Sequence, residues 1–217
     1  MCVTGNKLYT SCALAMRDIV NGCTIGISGN EGGGEPLGLI CQLATMHLTN
    51  LRIIYNVPVI KQTIGSRMIH QMISDDKISE LITPSYPPSE AFDVNTKMVK
   101  NTVVNFIDHS YLAEKLRIKG AGLGGIFYSS DSIGDKEYLG LNMDVALIKS
   151  DKTDTLGNTV YSGSNRNYSP IMAIAAHTTI AETNDLVEIG TLDPECIVTP
   201  GIFVNRIVLT SEKSRID

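Results

Sequence analysis

Short apolar runs rich in β-branched residues alternate along this chain with amphipathic stretches, and this alternation constrains the fold more than any other feature. The runs have the length of buried strands, and the amphipathic stretches have helical periodicity. Strands that alternate with helices are typical of a parallel sheet. The sequence therefore predicts an α/β fold, a mostly parallel open sheet with helices on both faces, in a single domain over residues 1–217.

The individual elements can be assigned along the chain. Residues 1–21 are expected to be mostly helical, and Pro36 suits the first turn of a later helix. The predicted strands are residues 23–27, 51–55, 80–86, 102–107, 144–148, 178–182 and 203–209. The predicted helices are residues 36–47, 64–73, 111–118 and 169–176, and residues 159–161 are expected to form a small hairpin arm.

Three features fall at the carboxyl ends of predicted strands. They are the loop at residues 28–34, Asn56 and His109. Ligands of open α/β sheets bind outside the carboxyl ends of the strands. We therefore expect these three features to line one cleft.

The loop at residues 28–34 contains four glycines, which let a ligand approach the backbone and expose its amide groups. It lacks the Gly-Lys-Ser/Thr sequence that nucleotide triphosphate sites require. Two interpretations stay open, a tight turn between strand and helix or a loop that lines a ligand. Glu31 is a candidate acid or nucleophile in this loop, although a solvated carboxylate is the commoner role for such a residue.

Residues 120–125 match the bare pattern Gly-x-Gly-x-x-Gly. A dinucleotide site needs this pattern between a strand and a helix. Here the pattern follows a stretch of helical periodicity, and no helix begins after it. The sequence therefore indicates a helix that glycine terminates, and it argues against a nicotinamide or flavin site.

Charge and composition exclude several classes of protein. The 18 basic and 23 acidic residues give a net charge of −5, whereas nucleic-acid binding usually requires a basic surface. No apolar run is long enough for a membrane span, and the N-terminus lacks the pattern of a signal peptide. The five widely spaced cysteines and four histidines have no metal-ligand spacing. We expect a cytoplasmic protein that holds no metal.

The second half of the chain carries the most specific motifs. They are Asp-Thr-Leu-Gly-Asn at residues 154–158, Ser-Asn-Arg-Asn-Tyr at residues 164–168 and Thr-Pro-Gly-Ile at residues 199–202. With these motifs the chain resembles the alpha subunits of the 3-oxoacid CoA-transferases, which act on acetoacetate, succinyl-CoA or 3-oxoadipate. The resemblance runs from about residue 117 to residue 208 and implies a CoA-transferase-like fold.

The resemblance also implies a chemistry. In that family an acyl-CoA is attacked by a glutamate of the beta chain, and CoA is transferred to a short carboxylic or 3-oxo acid through anhydride and glutamyl-CoA intermediates. No segment of this chain resembles the one that carries the glutamate, so the chain is expected to contain no nucleophile. The coenzyme A thioester is then a substrate, no cofactor is needed, and the expected partner is a beta subunit in an α2β2 assembly.

The first half follows the family pattern more loosely. Gly34 and Pro36 fit, and Asn56 matches the first of two asparagines after the second strand, whereas Ser28, Asn30 and Val57 differ from the pattern. His109 stands where the family has a glutamine, and its imidazole is a possible hydrogen-bond donor to an oxyanion. By this resemblance the substrate-binding residues are Gly29, Asn30, Gly32, Gly33, Gly34, Asn56 and His109.

A second function is compatible with the same differences from the pattern. The chain could be a ligand-binding or scaffold subunit of the same fold, which senses a sugar phosphate or an acyl-CoA without catalysing transfer. No pair of helices typical of DNA binding is predicted, and the strong match in the second half favours the transferase.

Overall fold

A computed structural model describes residues 6–29, 33–58, 63–84, 95–128 and 136–210. The strands are β1 (Leu8–Tyr9), β2 (Thr24–Ile27), β3 (Leu51–Tyr55), β4 (Ile78–Pro84), β5 (Asn95–Val99), β6 (Thr102–Ile107), β7 (Gly125–Tyr128), β8 (Lys136–Leu139), β9 (Met143–Asp154), β10 (Thr159–Val160), β11 (Ala176–Val187) and β12 (Arg206–Leu209). The α-helices are α1 (Cys12–Ala15), α2 (Leu37–Thr45), α3 (Ile64–Ser74), α4 (His109–Gly120) and α5 (Ser169–Ala175), and three short 3-10 helices cover Gly163–Asn165, Pro194–Cys196 and Gly201–Phe203.

The main sheet has the strand order β1-β12-β11-β9-β2-β3-β4-β6-β5, and β10 pairs with β9 outside this path. Within it, β5–β6 and β9–β10 are antiparallel and the other pairs are parallel. A separate antiparallel pair consists of β7 and β8. The predicted α/β class, with a mostly parallel sheet, is confirmed.

Alternate residues of β9 show why the sheet needs a layer of helices on each face. Val145 and Leu147 belong to a buried cluster that includes residues of α1, α2 and α3. Ala146 and Ile148 belong to a second cluster that includes residues of α4 and α5. Because successive side chains of a strand point to opposite faces, this apolar run must be covered on both sides.

Two side chains fix where the helices beside the cleft begin. Thr63 caps α3 by accepting a hydrogen bond from the amide of Ser66. Asp108 caps α4 and accepts from the amide of Ser110 at 2.8 Å. Such caps satisfy amides that the first turn of a helix leaves without partners.

None of the helices in the described ranges is long and apolar enough to cross a lipid bilayer.

The prediction that residues 1–21 are mostly helical is wrong for the part that the structure describes. The strand β1 lies there, followed by the four-residue helix α1. Leu8 and Tyr9 pair in parallel with Ile207 and Val208 of β12, so partners from the far end of the chain keep this segment extended.

The strands β9 and β11 are longer than their apolar runs predicted. Each has 12 residues, and they pair in register from Met143 and Ala176 onwards. Beyond the apolar run, β9 continues with buried polar residues such as Ser150 and Thr153, whose hydroxyl oxygens lie 2.8 Å apart. Polar side chains that bond to one another can be buried in a sheet, and no apolar pattern reports them.

Two of the motifs in the second half are packed against each other. Asp154 accepts hydrogen bonds from the amides of Leu156 and Asn158, and Asn158 Oδ1 accepts from the amide of Gly201. Lys7 Nζ donates to the carbonyls of Leu156 and Gly201 at 2.8 and 2.7 Å. Residues 154–158 and 199–201 therefore form one rigid corner.

This corner leaves no room for a side chain at Gly201. A methyl group there would lie 2.4 Å from the carbonyl oxygen of Leu156. We expect Gly201→Ala to lower the free energy of unfolding by about 1–3 kcal/mol, because backbone must move to accept the methyl group. Gly124→Ala is the control, since nothing in the described chain lies within 4 Å of its added methyl group. Urea denaturation that gave equal stabilities for both variants would contradict the account.

Candidate functional site

The carboxyl ends of β2, β3 and β6 lie on one edge of the sheet, because these strands are parallel and separated only by β4 between β3 and β6. Ser28 and Gly29 follow β2, Asn56 follows β3, and His109 begins α4 after β6. The three features that the sequence placed at strand ends therefore share an edge.

The carbonyl oxygen of Gly29 accepts hydrogen bonds from two side chains at this edge of the sheet. It accepts a hydrogen bond from Asn56 Nδ2 at 2.7 Å and another from Asn167 Nδ2 at 2.6 Å. A methyl group on Gly29 would lie 2.7 Å from Glu35 Cγ and 2.9 Å from Val57 Cγ2. The first peptide of the loop is thus fixed on several sides, and only glycine fits there.

Residues 165–169 connect the glycine loop to the start of α4. Ser169 Oγ lies 3.0 Å from Ser28 Oγ, and the Tyr168 hydroxyl donates to the carbonyl of His109 at 2.6 Å. Asn165 packs beneath the loop, since a methyl group on Gly34 would lie 3.0 Å from its Cα. One short segment therefore contacts both sides of the predicted cleft.

Asn165 is itself held from β9. Its Nδ2 donates to Asp151 Oδ1 at 2.8 Å, and the other carboxylate oxygen of Asp151 accepts from the amide of Ser162. Asp151, in the polar part of β9, thus holds residues 165–169 in place, and these residues contact the loop at residues 28–34.

His109 is half-buried and lies beside Tyr168. Its Nδ1 is 3.5 Å from the Tyr168 hydroxyl, and the two rings are tilted by 49° with centroids 6.2 Å apart. Burial, together with the negative charge of Asp108, raises the pKa of Tyr168 to about 12. The hydroxyl therefore keeps its proton at neutral pH and remains a donor to the backbone of His109.

Asn56 has a second feature of interest. Its side chain is 1% exposed, and no donor in the described part of the chain reaches its Oδ1. A buried acceptor without a partner costs on the order of 1–3 kcal/mol. The edge of the sheet thus contains an acceptor that a group from outside the described residues could satisfy.

A buried ion pair lies under the glycine loop. Lys149 Nζ is 3.1 Å from Glu182 Oε1, and both side chains are almost fully buried. Glu182 also accepts from the Thr210 hydroxyl and from the amide of Leu39 in the first turn of α2. The amide of Lys149 in turn lies 3.3 Å from Ser28 Oγ. The pair joins β9, β11 and α2, and the backbone of Lys149 contacts the first residue of the loop.

Gly29, Gly33, Gly34, Asn56 and His109 all lie at this edge of the sheet, and their roles in binding stay predictions. Asn30 and Gly32, which belong to the same prediction, lie outside the described residues, as does Glu31. Among the described residues, no group of three or more His, Cys, Asp or Glu side chains is placed to hold a metal ion.

The glycine pattern at residues 120–125 lies where a helix ends. The amides of Gly122 and Leu123 donate to the carbonyls of Lys119 and Ile118 as α4 closes. The helix-terminating interpretation is confirmed, and the pattern does not lie between a strand and a following helix.

Sequence reasoning missed the residues that support the cleft. Asn167 and Ser169 stood out only as part of a motif or a helix, and no pattern pointed to Lys149, Glu182 or Glu35. The one available signal was the run of polar side chains at residues 164–169, directly before a predicted helix.

An α/β domain with polar side chains gathered at the carboxyl ends of three parallel strands is thus the class that fold and site define. The sequence profile described as Coenzyme A transferase matches residues 9–210, and the chain belongs to this family.

Individual relatives agree with this assignment. The chain is 33% identical to a 3-oxoadipate CoA-transferase subunit of Pseudomonas putida, over 95% of this chain and 94% of that protein. It is 36% identical to the acetoacetyl-CoA:acetate/butyrate CoA transferase alpha subunit of Clostridium acetobutylicum, over 87% of this chain and 91% of that protein.

Solved structures share the fold at low sequence identity. An acyl-CoA transferase from Escherichia coli O157:H7 superimposes with a TM-score of 0.75 and 16% identity, over 96% of this chain and 48% of that chain. This chain therefore spans about half of that protein. The glutaconate coenzyme A-transferase of Acidaminococcus fermentans has a TM-score of 0.73 and 12% identity, over 96% of this chain and 77% of that chain.

The buried ion pair gives a stability prediction with a matched control. Lys149→Met removes the partner of a fully buried carboxylate, and we expect it to destabilise the chain by about 3–5 kcal/mol. Lys152 and Asp185 form an ion pair at 3.7 Å on the same two strands, with both side chains more than half exposed. We expect Lys152→Met to cost less than about 1 kcal/mol.

Thermal and urea unfolding of the two variants measures this difference. A Lys149→Met variant as stable as Lys152→Met would show that Glu182 does not depend on its partner.

Proposed function

We propose that this chain is the alpha subunit of a heteromeric CoA-transferase that moves CoA between an acyl-CoA and a short carboxylic or 3-oxo acid. Relatives over most of its length are named as single subunits of such enzymes, two of them as the alpha subunit, which supports the proposal. The proposed assembly is α2β2 with a beta subunit, in the cytoplasm. The nucleophile is a glutamate of that beta subunit.

The proposed reaction proceeds by exchange between a thioester and carboxylates. The glutamate attacks the acyl-CoA carbonyl and expels the CoA thiolate, which leaves a mixed anhydride between enzyme and acyl group. The thiolate then attacks the glutamyl carbonyl and releases the acyl group as a carboxylate. The resulting glutamyl-CoA thioester reacts with the acceptor acid by the same steps in reverse. CoA is a substrate here, and no separate cofactor enters the balance.

The alpha subunit contributes walls and polar groups in this scheme. Negative charge develops on the carbonyl oxygen each time a thioester or anhydride is attacked, and fixed donors near that oxygen lower the barrier. His109 is the proposed donor from this chain. Gly29, Gly33 and Gly34, with Asn30 and Gly32 from the same loop, would let the acyl group lie close to backbone, and exclusion of water would protect the anhydride from hydrolysis.

The observation that carries the proposal is the convergence on Gly29. Asn56 and Asn167 bond to the same carbonyl oxygen, and the segment that contains Asn167 also contacts the backbone of His109. Such bracing fits a loop that must hold one shape against a reacting ligand. The described residues around it supply donors and backbone but not a complete set for covalent catalysis, as expected for a site shared with another chain.

Co-expression tests the proposal directly. The chain is produced with a candidate beta chain, and CoA transfer from acetoacetyl-CoA or succinyl-CoA to short acids is measured. We expect activity only from the complex. Borohydride added with acyl-CoA should inactivate it and modify a glutamate of the partner. Full transferase activity from this chain alone would contradict the proposal.

Substitutions of His109 test its role as oxyanion donor. We expect His109→Ala to lower kcat of the complex by about 10²-fold or more, as for other lost oxyanion donors. His109→Gln should retain activity, because the amide can donate in the same direction. His47→Ala is the control, since His47 is an exposed residue after α2. Equal rates for His109→Ala and wild type would remove His109 from the mechanism.

The alternative is a ligand-binding or scaffold subunit of the same fold. Ser28, Val57 and His109 differ from the family pattern, which is the observation that favours it. Titration calorimetry on the purified complex separates the two functions. Binding of a sugar phosphate without any turnover of acyl-CoA would support the alternative.

A further inference from the structure

Glu35 is a buried carboxyl group between two loops of the cleft. It lies between the glycine loop and α2, and it is 9% exposed. Its Oε1 accepts hydrogen bonds from the Tyr55 hydroxyl at the end of β3 and from Thr63 Oγ1, at 3.1 Å, at the start of α3. One side chain therefore contacts the loop after β2, the end of β3 and the cap of α3.

Two glycines leave the space that this carboxyl group occupies. A methyl group on Gly65 would lie 2.0 Å from Glu35 Oε1 and 2.8 Å from its Cδ. On the other side, a methyl group on Gly29 would lie 2.7 Å from Glu35 Cγ. The backbones of α3 and of the glycine loop thus approach Glu35 as closely as glycine allows.

Glu35 is the acceptor in the hydrogen bonds that Tyr55, Thr63 and Gly65 make to it. Burial raises the pKa of Tyr55, and the nearby charge of Glu35 raises it further, so the hydroxyl keeps its proton and donates to the carboxyl group. Thr63 Oγ1 accepts from the amide of Ser66 and donates its own proton to Glu35. The amide of Gly65 adds a further bond at the positive end of α3.

These hydrogen bonds offset part of the free-energy cost of removing the Glu35 carboxyl group from water. Burial raises the pKa of Glu35 even though Tyr55, Thr63 and Gly65 all act to lower it. A carboxyl group that is costly to bury thus stands at a position where an apolar side chain would carry no such cost. Its hydrogen-bond partners Tyr55 and Thr63 lie at the end of β3 and the start of α3, whereas Glu182 bonds to Lys149, Thr210 and the amide of Leu39.

We propose that Glu35 is a positioning residue for the transfer reaction, which braces the glycine loop against the start of α3 and thereby fixes Gly29. This inference rests on the proposed function for the reaction itself. Gly29 is then restrained at two points: its carbonyl accepts from Asn56 and Asn167, and Glu35 and Val57 pack where a Cβ atom would lie. Glu35 touches no reacting atom and acts through Gly29.

The test compares Glu35→Gln with Glu35→Leu in the alpha–beta complex. Glutamine keeps an acceptor oxygen for Tyr55 and Thr63, so we expect kcat within about threefold of wild type. Leucine has a similar volume but accepts no hydrogen bond, so the Tyr55 and Thr63 hydroxyls, which lie 3.3 Å apart, can bond only to each other, and one of the two donors loses its acceptor. We expect kcat to fall by about 10- to 100-fold, as for a small misplacement of a cleft group, with KM for acyl-CoA nearly unchanged.

Gly201→Ala is the matched control, because it strains the corner at residues 154–158 and 199–201 without touching the cleft. It should lower stability without lowering kcat at a temperature where the complex is folded. If Glu35→Leu behaves like Gly201→Ala, Glu35 is merely structural and the inference is overturned. An equal loss of kcat in Glu35→Gln and Glu35→Leu would overturn it too, because the effect would then follow the ionisable group.

A second measurement keeps this inference separate from the proposed function. Hydrogen exchange of the complex should show faster exchange in Glu35→Leu at peptides containing Gly29 and Gly65, but not in Gly201→Ala. If the wild-type complex transfers no CoA, the proposed function is wrong. The hydrogen-exchange rates at Gly29 and Gly65 still show whether Glu35 braces the loop. Unchanged exchange at both glycines would overturn the bracing whether or not the complex is active.

Discussion

The fixed carbonyl of Gly29 is the constraint on which the cleft depends. Two side-chain amides, from the end of β3 and from the segment before α5, donate to it. A peptide unit is planar, so its carbonyl and its Cα cannot be fixed without fixing the direction of the backbone that leaves them. Glycine is needed because the neighbouring side chains occupy the place of a Cβ atom. The direction of the backbone at Gly29, where the loop after β2 begins, is therefore fixed.

Polar residues beyond the apolar runs connect this constraint to the rest of the sheet. The extension of β9 provides Lys149, which pairs with Glu182, and Asp151, which holds Asn165. Asn165 in turn packs against Gly34 of the loop. The apolar core explains why the three layers form, whereas this polar network explains why the loop, the segment 165–169 and the start of α4 occupy fixed relative positions. The proposed mechanism, in which another chain supplies the nucleophile, depends on that second property.

The local sequence pattern was sufficient to predict the sheet and the helices that cover it, but not the side chains that hold the loop at Gly29 in place. Residues 51–55 and 102–107 were predicted at the observed bounds of β3 and β6, because each is a short apolar run between breaks. The edge strand β5 was missed since it is largely exposed and polar, and β9 was cut short where its buried polar part begins. Asn167 and Gly29 are 138 residues apart, and no local pattern links an amide donor to a carbonyl at that distance. Only the run of polar side chains at residues 164–169, which includes a motif of the family resemblance, marked the segment.

A structure of the alpha–beta complex with a bound acyl-CoA analogue tests the central claim most directly. The account predicts that the acyl carbonyl lies within about 4 Å of Gly29 or the His109 side chain, on a cleft that the partner closes. It also predicts that the carbonyl of Gly29 still faces Asn56 and Asn167. An acyl group bound away from this edge of the sheet, or a cleft that faces away from the partner, would contradict the account.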